Sequence, residues 1–208
     1  MPVERITIRN FSNNFAFPTK GARDFYLTLF DKLAIQTASV AISGYQLYIL
    51  TDYIRLKGGS LQAYVTYISM ILMVMAIVLS LIAGPISDRM KRRKLPVLIA
   101  GTLVAIGSLL PLFTNHAWIM LAYACVVGIG MGMFGAVDQA LNIEVLPDQK
   151  TAAKDLGLLN IANNGGQVFG PILAAAAINL IGYHAIFPVA CVMAIVGRIL
   201  VGCIRKVK

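Results

Sequence analysis

Six long apolar stretches constrain what this chain can fold into more than any other feature. Each is close to the ~20 mostly apolar residues that a helix needs to cross a membrane. Their apolar character is continuous rather than alternating, which excludes a transmembrane β-barrel and leaves α-helices. The predicted spans are residues 25–51, 62–84, 96–114, 117–137, 156–181 and 184–204.

The composition agrees with a protein that lies mostly in lipid. Hydrophobic residues make up 58% of the chain and charged residues 13%, with a mean hydropathy of +0.77. Soluble domains carry about 25% charged residues. The net charge of +9 raises the question of nucleic acid binding, but the basic residues form short clusters between apolar runs. We therefore expect the lipid bilayer, and no nucleic acid, as the surroundings of this chain.

The connections between the spans predict an orientation. Fourteen Lys and Arg residues fall on one side of the six spans, whereas the other side has only Arg55 and Lys57. The positive-inside rule then places both termini in the cytoplasm, and we expect a multi-pass protein of the cell (inner) membrane. The predicted parts are a cytoplasmic lead-in at 1–23, a transmembrane domain at 24–204 and a basic tail at 205–208.

No cofactor or metal is expected. The three cysteines lack the spacing of metal ligands, and the two histidines are far apart in the sequence. The chain has no nucleotide-binding loop, so direct use of ATP is not expected.

The first span carries a polar stripe along one side. At 100° per residue its polar residues share one arc, as a water-filled pathway requires. We predict a substrate pathway from this stripe. Its polar residues are Thr28, Asp31, Lys32, Gln36, Ser39, Ser43 and Gln46.

Two acidic residues inside predicted helices have alternative roles. Asp31 either forms a neutral pair with its neighbour Lys32 or is a protonatable site that couples transport to an ion. Asp138, near the end of the fourth span, either relays protons or pairs with a base such as Arg198. Both acids are therefore candidates for ion coupling.

The fifth span places four carboxamides on one helical face. Asn160, Asn163, Asn164 and Gln167 lie at i, i+3, i+4 and i+7. Several donors and acceptors together suit a sugar or another polyhydroxylated solute. The alternative is that they bond neighbouring helices to each other.

Small residues predict where helices approach closely. Gly128, Gly132 and Gly135 share one face of the fourth span, and Gly166 and Gly170 are four residues apart in the fifth. Such spacing is typical of close helix packing in membranes.

A motif follows the second span, in the stretch GPISDRMKRRK. Its order resembles the G-x-x-x-D-R-x-G-R-R loop of the major facilitator superfamily, with Lys91 in place of the second glycine. The resemblance implies a gating loop between two helices. The alternative is that the basic residues only keep this loop on the cytoplasmic side, as the positive-inside rule describes. The matching residues are Gly84, Asp88, Arg89, Arg92 and Arg93.

The resemblance extends over most of the chain. Residues 138–141, 146–147 and 154–157 look like the last three helices of bacterial carriers in that family, sugar–cation symporters among them, and residues 10–23 look like the end of its central loop. The chain is thus similar to a C-terminal six-helix half with a 3+3 inverted repeat. A lone half implies a partner, either an N-terminal half or a second copy.

The predicted function is secondary active transport of a small polar solute, with a sugar as one candidate. The resemblance implies alternating access coupled to H⁺ or Na⁺, in a half-length product or a fragment. The alternative is a truncated remnant or regulatory membrane protein without transport activity. No enzyme is expected, since the spans show neither the acidic clusters of membrane transferases nor a protease constellation.

Overall fold

The computed structural model describes residues 22–90, 94–146 and 151–204, without the side chains of residues 86, 88 and 90. This part of the chain is helical and contains no β-strand. Its seven α-helices are α1 (Arg23–Ser43), α2 (Gln46–Tyr48), α3 (Gly58–Met90), α4 (Lys94–Phe113), α5 (Trp118–Val145), α6 (Ala152–Leu180) and α7 (Ile186–Gly202).

Among these described helices, four are long and apolar enough to cross a membrane. They are α3, α4, α5 and α7, the last counted with the short 3₁₀ turn Tyr183–Ala185 before it. α1 and residues Gln46–Tyr53 meet at a bend, and if they are counted together as one span, the number of candidate spans is five. α6 covers the predicted span 156–181 but is not among them, because its carboxamides lower its hydropathy. These helices agree with a multi-pass membrane protein, while the number of six spans stays a prediction.

The first predicted span, 25–51, is broken rather than continuous. α1 ends at Ser43, and the chain resumes at Gln46 with a bend of 43°. Residues Ile49–Tyr53 then wind as a π-helical turn. Such turns are rare and frequently lie at functional sites.

Two helices run past their predicted ends. α3 continues through Pro85 to Met90, so the first part of the predicted loop at 85–95 is helical. α5 continues to Val145, which places Asp138 inside a helix instead of at its end. Hydropathy detects only the apolar part of a helix, and both extensions are rich in polar residues.

The helices pack in a defined order. α3 packs on α5, α5 on α4, α4 on α7, α7 on α1, and α1 on α6, while α1 and α5 also touch. The main apolar core lies where α1, α4, α5 and α7 meet, and it includes Ile35, Val104, Tyr123 and Ala194. α3 and α6 therefore lie at the two ends of this order.

Glycines of α5 set its distance to α3. A Cβ added at Gly132 would lie 2.7 Å from the carbonyl oxygen of Ala76, and one at Gly128 would lie 2.8 Å from the Cβ of Met75. The predicted close contact is therefore confirmed for these two residues. Gly135 does not take part in it, because no described atom lies within 4 Å of the position of its Cβ.

Glycines of α6 do the same against α1. A Cβ at Gly166 would lie 2.8 Å from the carbonyl oxygen of Leu33, and one at Gly170 would lie 3.0 Å from that of Thr37. This confirms the second predicted small-residue contact. Without side chains between them, the two backbones pack directly.

We predict that Gly132→Ala lowers the free energy of unfolding by about 1–3 kcal/mol, because the methyl group meets the fixed backbone of α3. Gly135→Ala is the matched control on the same helix and should change stability little. Thermal unfolding of both variants in lipid nanodiscs measures the difference. Equal losses in the two variants would show that close packing on α3 is not the reason.

Candidate functional site

A polar cavity of about 220 Å³ lies between α1, α5 and α6. It combines the polar residues of three helices that are distant in the sequence. Its lining residues are Lys32 and Gln36 from α1, Met131, Phe134, Gly135, Asp138 and Gln139 from α5, and Asn160 and Asn163 from α6.

A buried ion pair joins α1 to α5 at this cavity. The ammonium group of Lys32 contacts the Oδ2 atom of Asp138, and the two side chains are only 3% and 9% exposed. Asn142 donates a second hydrogen bond to Asp138 Oδ2 at 3.3 Å. The ring centroid of Phe134 lies 6.0 Å from the ammonium nitrogen. A charge buried this deeply needs a partner, so each member of the pair holds the other in place.

A second carboxyl group lies beside the pair without a partner of its own. Asp31 is 1% exposed, and neither of its oxygen atoms has a hydrogen bond among the described residues. It packs against α7 at Gly197, where an added Cβ would come within 2.9 Å of Asp31 Oδ1. Gly197 therefore makes the room in which this carboxyl group is buried.

The structure decides between the alternatives for the charge partners. Lys32 pairs with Asp138 and not with its neighbour Asp31, because consecutive residues of a helix point about 100° apart. Asp138 does pair with a base, as one alternative predicted, but this base is Lys32 and not Arg198. Arg198 is exposed, and its Cβ lies against α4, 3.3 Å from where a Cβ of Gly101 would be.

The predicted carboxamide face is divided between two environments. Asn160 and Asn163 line the cavity together with Gln36. Asn164 and Gln167 do not line it; both are exposed, and Gln167 Nε2 donates to Asn164 Oδ1 at 3.5 Å. Asn164 is turned about 40° from Asn160 on the side away from Asn163, and Gln167 lies about one turn beyond Asn163 along the helix.

The outer part of the predicted stripe on the first span lies away from the cavity. Ser43 donates to the carbonyl oxygen of Ser39, within its own helix, at 3.1 Å. Gln46 donates to the carbonyl oxygen of Val65 at 3.3 Å and so ties the broken span to α3. These three residues are not among the lining residues.

The predicted gating motif is described only in part. Gly84 is half-buried, with no described atom within 4 Å of the position of its Cβ, and Arg89 is exposed. The side chain of Asp88 and all of Arg92 and Arg93 lie outside the described residues. A gating role for this motif stays a prediction.

Sequence reasoning missed several residues of α5 that belong to the site. Met131, Phe134 and Gln139 line the cavity, and Asn142 supports the ion pair. Their signal was present, because residues 131, 134 and 138 lie at i, i+3 and i+7 on one helical face. No group of three or more His, Cys, Asp or Glu residues that could hold a metal occurs in the part of the chain that the structure describes.

Apolar helices around a buried charged cavity define a multi-pass membrane protein, and comparison with known proteins gives its family. The family model described as Major Facilitator Superfamily matches residues 33–208. The chain belongs to this superfamily.

Comparison with solved structures gives a match to the fold. A crystal structure of a mutant of the peptide transporter POT in complex with alafosfalin superposes with a TM-score of 0.76 and 14% sequence identity. The match covers 97% of this chain and 42% of the other, so this chain spans less than half the length of that transporter. At this identity the likeness shows the fold alone. A search of curated protein sequences gave no match.

We predict that Lys32→Met and Asp138→Asn are not additive. Lys32→Met leaves a buried carboxylate without its partner, and breaking a buried pair in this way costs about 3–5 kcal/mol. The double variant has no charge left in the pair and should be more stable than Lys32→Met alone.

A double-mutant cycle of thermal unfolding in nanodiscs measures this coupling. Arg198→Met with Asp138→Asn is the control pair, and it should show additive effects because Arg198 does not contact Asp138. Additive losses for Lys32 with Asp138 would contradict the ion pair.

Proposed function

We propose that this chain is a secondary active transporter for a small polar solute, acting by alternating access with coupling to H⁺ or Na⁺. The observation that carries this proposal is the cavity between α1, α5 and α6, with its buried Lys32–Asp138 pair and the unpartnered Asp31 beside it. Ionisable residues inside a membrane are costly and usually mark ion or substrate paths.

The charges of the site support coupling to a cation. When Asp31, Lys32 and Asp138 are all ionised, the site has a net charge of −1, and one H⁺ or Na⁺ would neutralise it. The nearest base on the neighbouring α7, Arg198, is exposed and lies against α4. Asp31 and Asp138 are therefore our candidates for ion coupling, with Asp31 the more direct because it has no partner.

The uncharged part of the lining supports a hydroxylated solute, with a sugar as the first candidate. Gln36, Asn160 and Asn163 together offer donors and acceptors in the same cavity. The outer residues of the predicted pathway extend this surface along the first span and α6. They are Ser39, Ser43, Gln46, Asn164 and Gln167.

The packing order supports a bundle of six spans with a 3+3 repeat. If the first three spans are exchanged with the last three, α1 replaces α5, α3 replaces α6, and α4 replaces α7. The main contacts are then reproduced: α3 on α5 becomes α6 on α1, and α4 on α5 becomes α7 on α1. In this arrangement α6 is the fifth span, which completes the set of six, and its carboxamides explain its low hydropathy.

We further propose that a second six-helix unit completes the pathway, either an N-terminal half or a second copy. α3 and α6, at the two ends of the packing order, carry large exposed apolar residues such as Met70, Met73, Val168 and Phe169. We place the assembly in the cell (inner) membrane with both termini of this chain in the cytoplasm, on the basis of its basic residues.

Uptake by cells that express the natural gene product tests this proposal. Cells with and without the gene should differ in the accumulation of labelled sugars or other small polar solutes when a proton or sodium gradient is imposed. If no solute of a broad panel distinguishes the two strains, the transport proposal fails and a remnant without transport is favoured.

We predict that Asp31→Asn abolishes accumulation against a gradient but keeps downhill exchange, because the amide cannot take up the coupling ion. Glu144→Gln, which changes an exposed acid of α5 outside the cavity, is the control and should accumulate solute normally. Accumulation and exchange are measured in the same cells with labelled solute. Unchanged accumulation in Asp31→Asn would remove Asp31 from the coupling mechanism.

A further inference from the structure

A second cavity, of about 150 Å³, lies farther along the contact between the first span and α6. On the first span its first lining residue, Tyr45, is nine residues beyond Gln36, and on α6 its first lining residue, Ala175, is twelve residues beyond Asn163. At 1.5 Å per residue these separations are about 13–18 Å along the helices. Under the proposed orientation this is the extracytoplasmic end. Its lining residues are Tyr45, Tyr48, Ala175, Ile178, Asn179 and Tyr183.

Three tyrosines of this cavity form what we call the tyrosine shelf: Tyr45, Tyr48 and Tyr183. The break in the first span places Tyr45 and Tyr48 at the wall of the cavity, with ring centroids 5.8 Å apart and planes tilted by 45°. Tyr48 is largely exposed and Tyr45 half-buried. Tyr45 also packs against the main apolar core, so the ring of Tyr48 is the more open of the two to a small molecule.

Tyr183 is fixed by a residue of the π-helical turn. Its hydroxyl group donates to Asp52 Oδ2 at 2.7 Å. Tyr183 also lines a neighbouring cavity of about 480 Å³, to which Asp52, Arg55 and His184 belong. The charged groups near the shelf therefore line the neighbouring cavity, and the smaller one has none in its described lining.

The chemistry of the smaller cavity selects a neutral ring that carries hydroxyl groups. Tyrosine rings offer apolar faces, while the phenol groups of Tyr45 and Tyr48 and the carboxamide of Asn179 offer donors and acceptors. The Tyr183 hydroxyl, which donates to Asp52, offers only its oxygen as an acceptor. An anion would find no counter-charge in the lining. A small cation such as choline could lie against the tyrosine rings, but it lacks the several hydroxyl groups that the phenols and the carboxamide would bond, so choline is the competing ligand in the test below. At about 150 Å³ the cavity is smaller than the roughly 300–1,000 Å³ of sites that hold drug-sized ligands, so its occupant is limited to about one small ring.

We infer that the tyrosine shelf is a second, extracytoplasmic binding site for a neutral pyranose-like solute, in series with the central cavity. The inference rests on the proposed function, because it takes α1 and α6 as the walls of one pathway. It deepens that proposal by assigning the solute to the neutral polyhydroxylated rings. The positions of Tyr45 and Tyr48 depend on the break in the first span, and that of Tyr183 depends on Asp52.

Protection of a cysteine from labelling tests the site without requiring transport. A variant of the natural gene product is made with Ala175→Cys and with Cys125, Cys191 and Cys203 changed to Ser, and it is reconstituted in liposomes. A polar maleimide then labels position 175 in the presence of methyl α- or β-pyranosides at millimolar concentration, or of choline as a charged comparison. We expect the pyranosides to slow the labelling and choline to have no effect.

Tyr48→Ala should raise the half-protecting concentration of pyranoside about tenfold, as expected for the loss of one stacked ring. Tyr48→Phe, which keeps the ring, should change it much less. Tyr67→Ala, an exposed tyrosine of α3 outside the cavity, is the control and should leave protection unchanged.

The outcomes separate this inference from the transport proposal. No protection by any pyranoside, protection by choline alone, or normal protection in Tyr48→Ala would each overturn the site. Asp138→Asn should lose accumulation but keep protection at position 175, because the shelf does not include the ion pair. Protection in a protein that transports nothing would contradict the proposed function and leave the shelf as a binding site.

Discussion

The ion pair between Lys32 and Asp138 is the interaction on which the candidate site depends. It joins two helices that are more than one hundred residues apart in the sequence, at a depth where neither charge is stable alone. Phe134 and Asn142 lie next to the two charges, and four carboxamides line the cavity together with Met131 and Gly135. Asp31, one residue from the pair, adds a carboxyl group that the described residues leave without a hydrogen bond.

The glycine contacts bring each helix of the ion pair close to a second helix. α6 packs on α1 through Gly166 and Gly170, and α3 packs on α5 through Gly128 and Gly132, so each helix of the ion pair has a close neighbour. At each of these glycines, backbone or Cβ atoms of the neighbouring helix lie where a side chain would be. The ion pair therefore joins two pairs of helices that are each closely packed, α1 with α6 and α5 with α3.

Sequence reasoning predicted the helical fold and part of the site, and the reasons for its limits are local. Helical spacing identified Asn160 and Asn163, because polar side chains inside an apolar segment usually face a cavity or another helix. Spacing within one helix gives no information on partners from another helix, so the pairing of Lys32 with Asp138 was not foreseen. The break in the first span was missed as well, because hydropathy averaged over a whole span does not detect a change of direction at Gly44.

The reactivity of a cysteine at position 163 tests most directly whether the central cavity belongs to an aqueous pathway. In a background without the native cysteines, Asn163→Cys is exposed to a charged thiol reagent from each side of the membrane, with Val192→Cys on the exposed surface of α7 as the reference. A pathway predicts that position 163 reacts from at least one side and much faster than position 192. Equal lack of reaction at both positions would contradict the account, and the carboxamides would then serve to hold helices together.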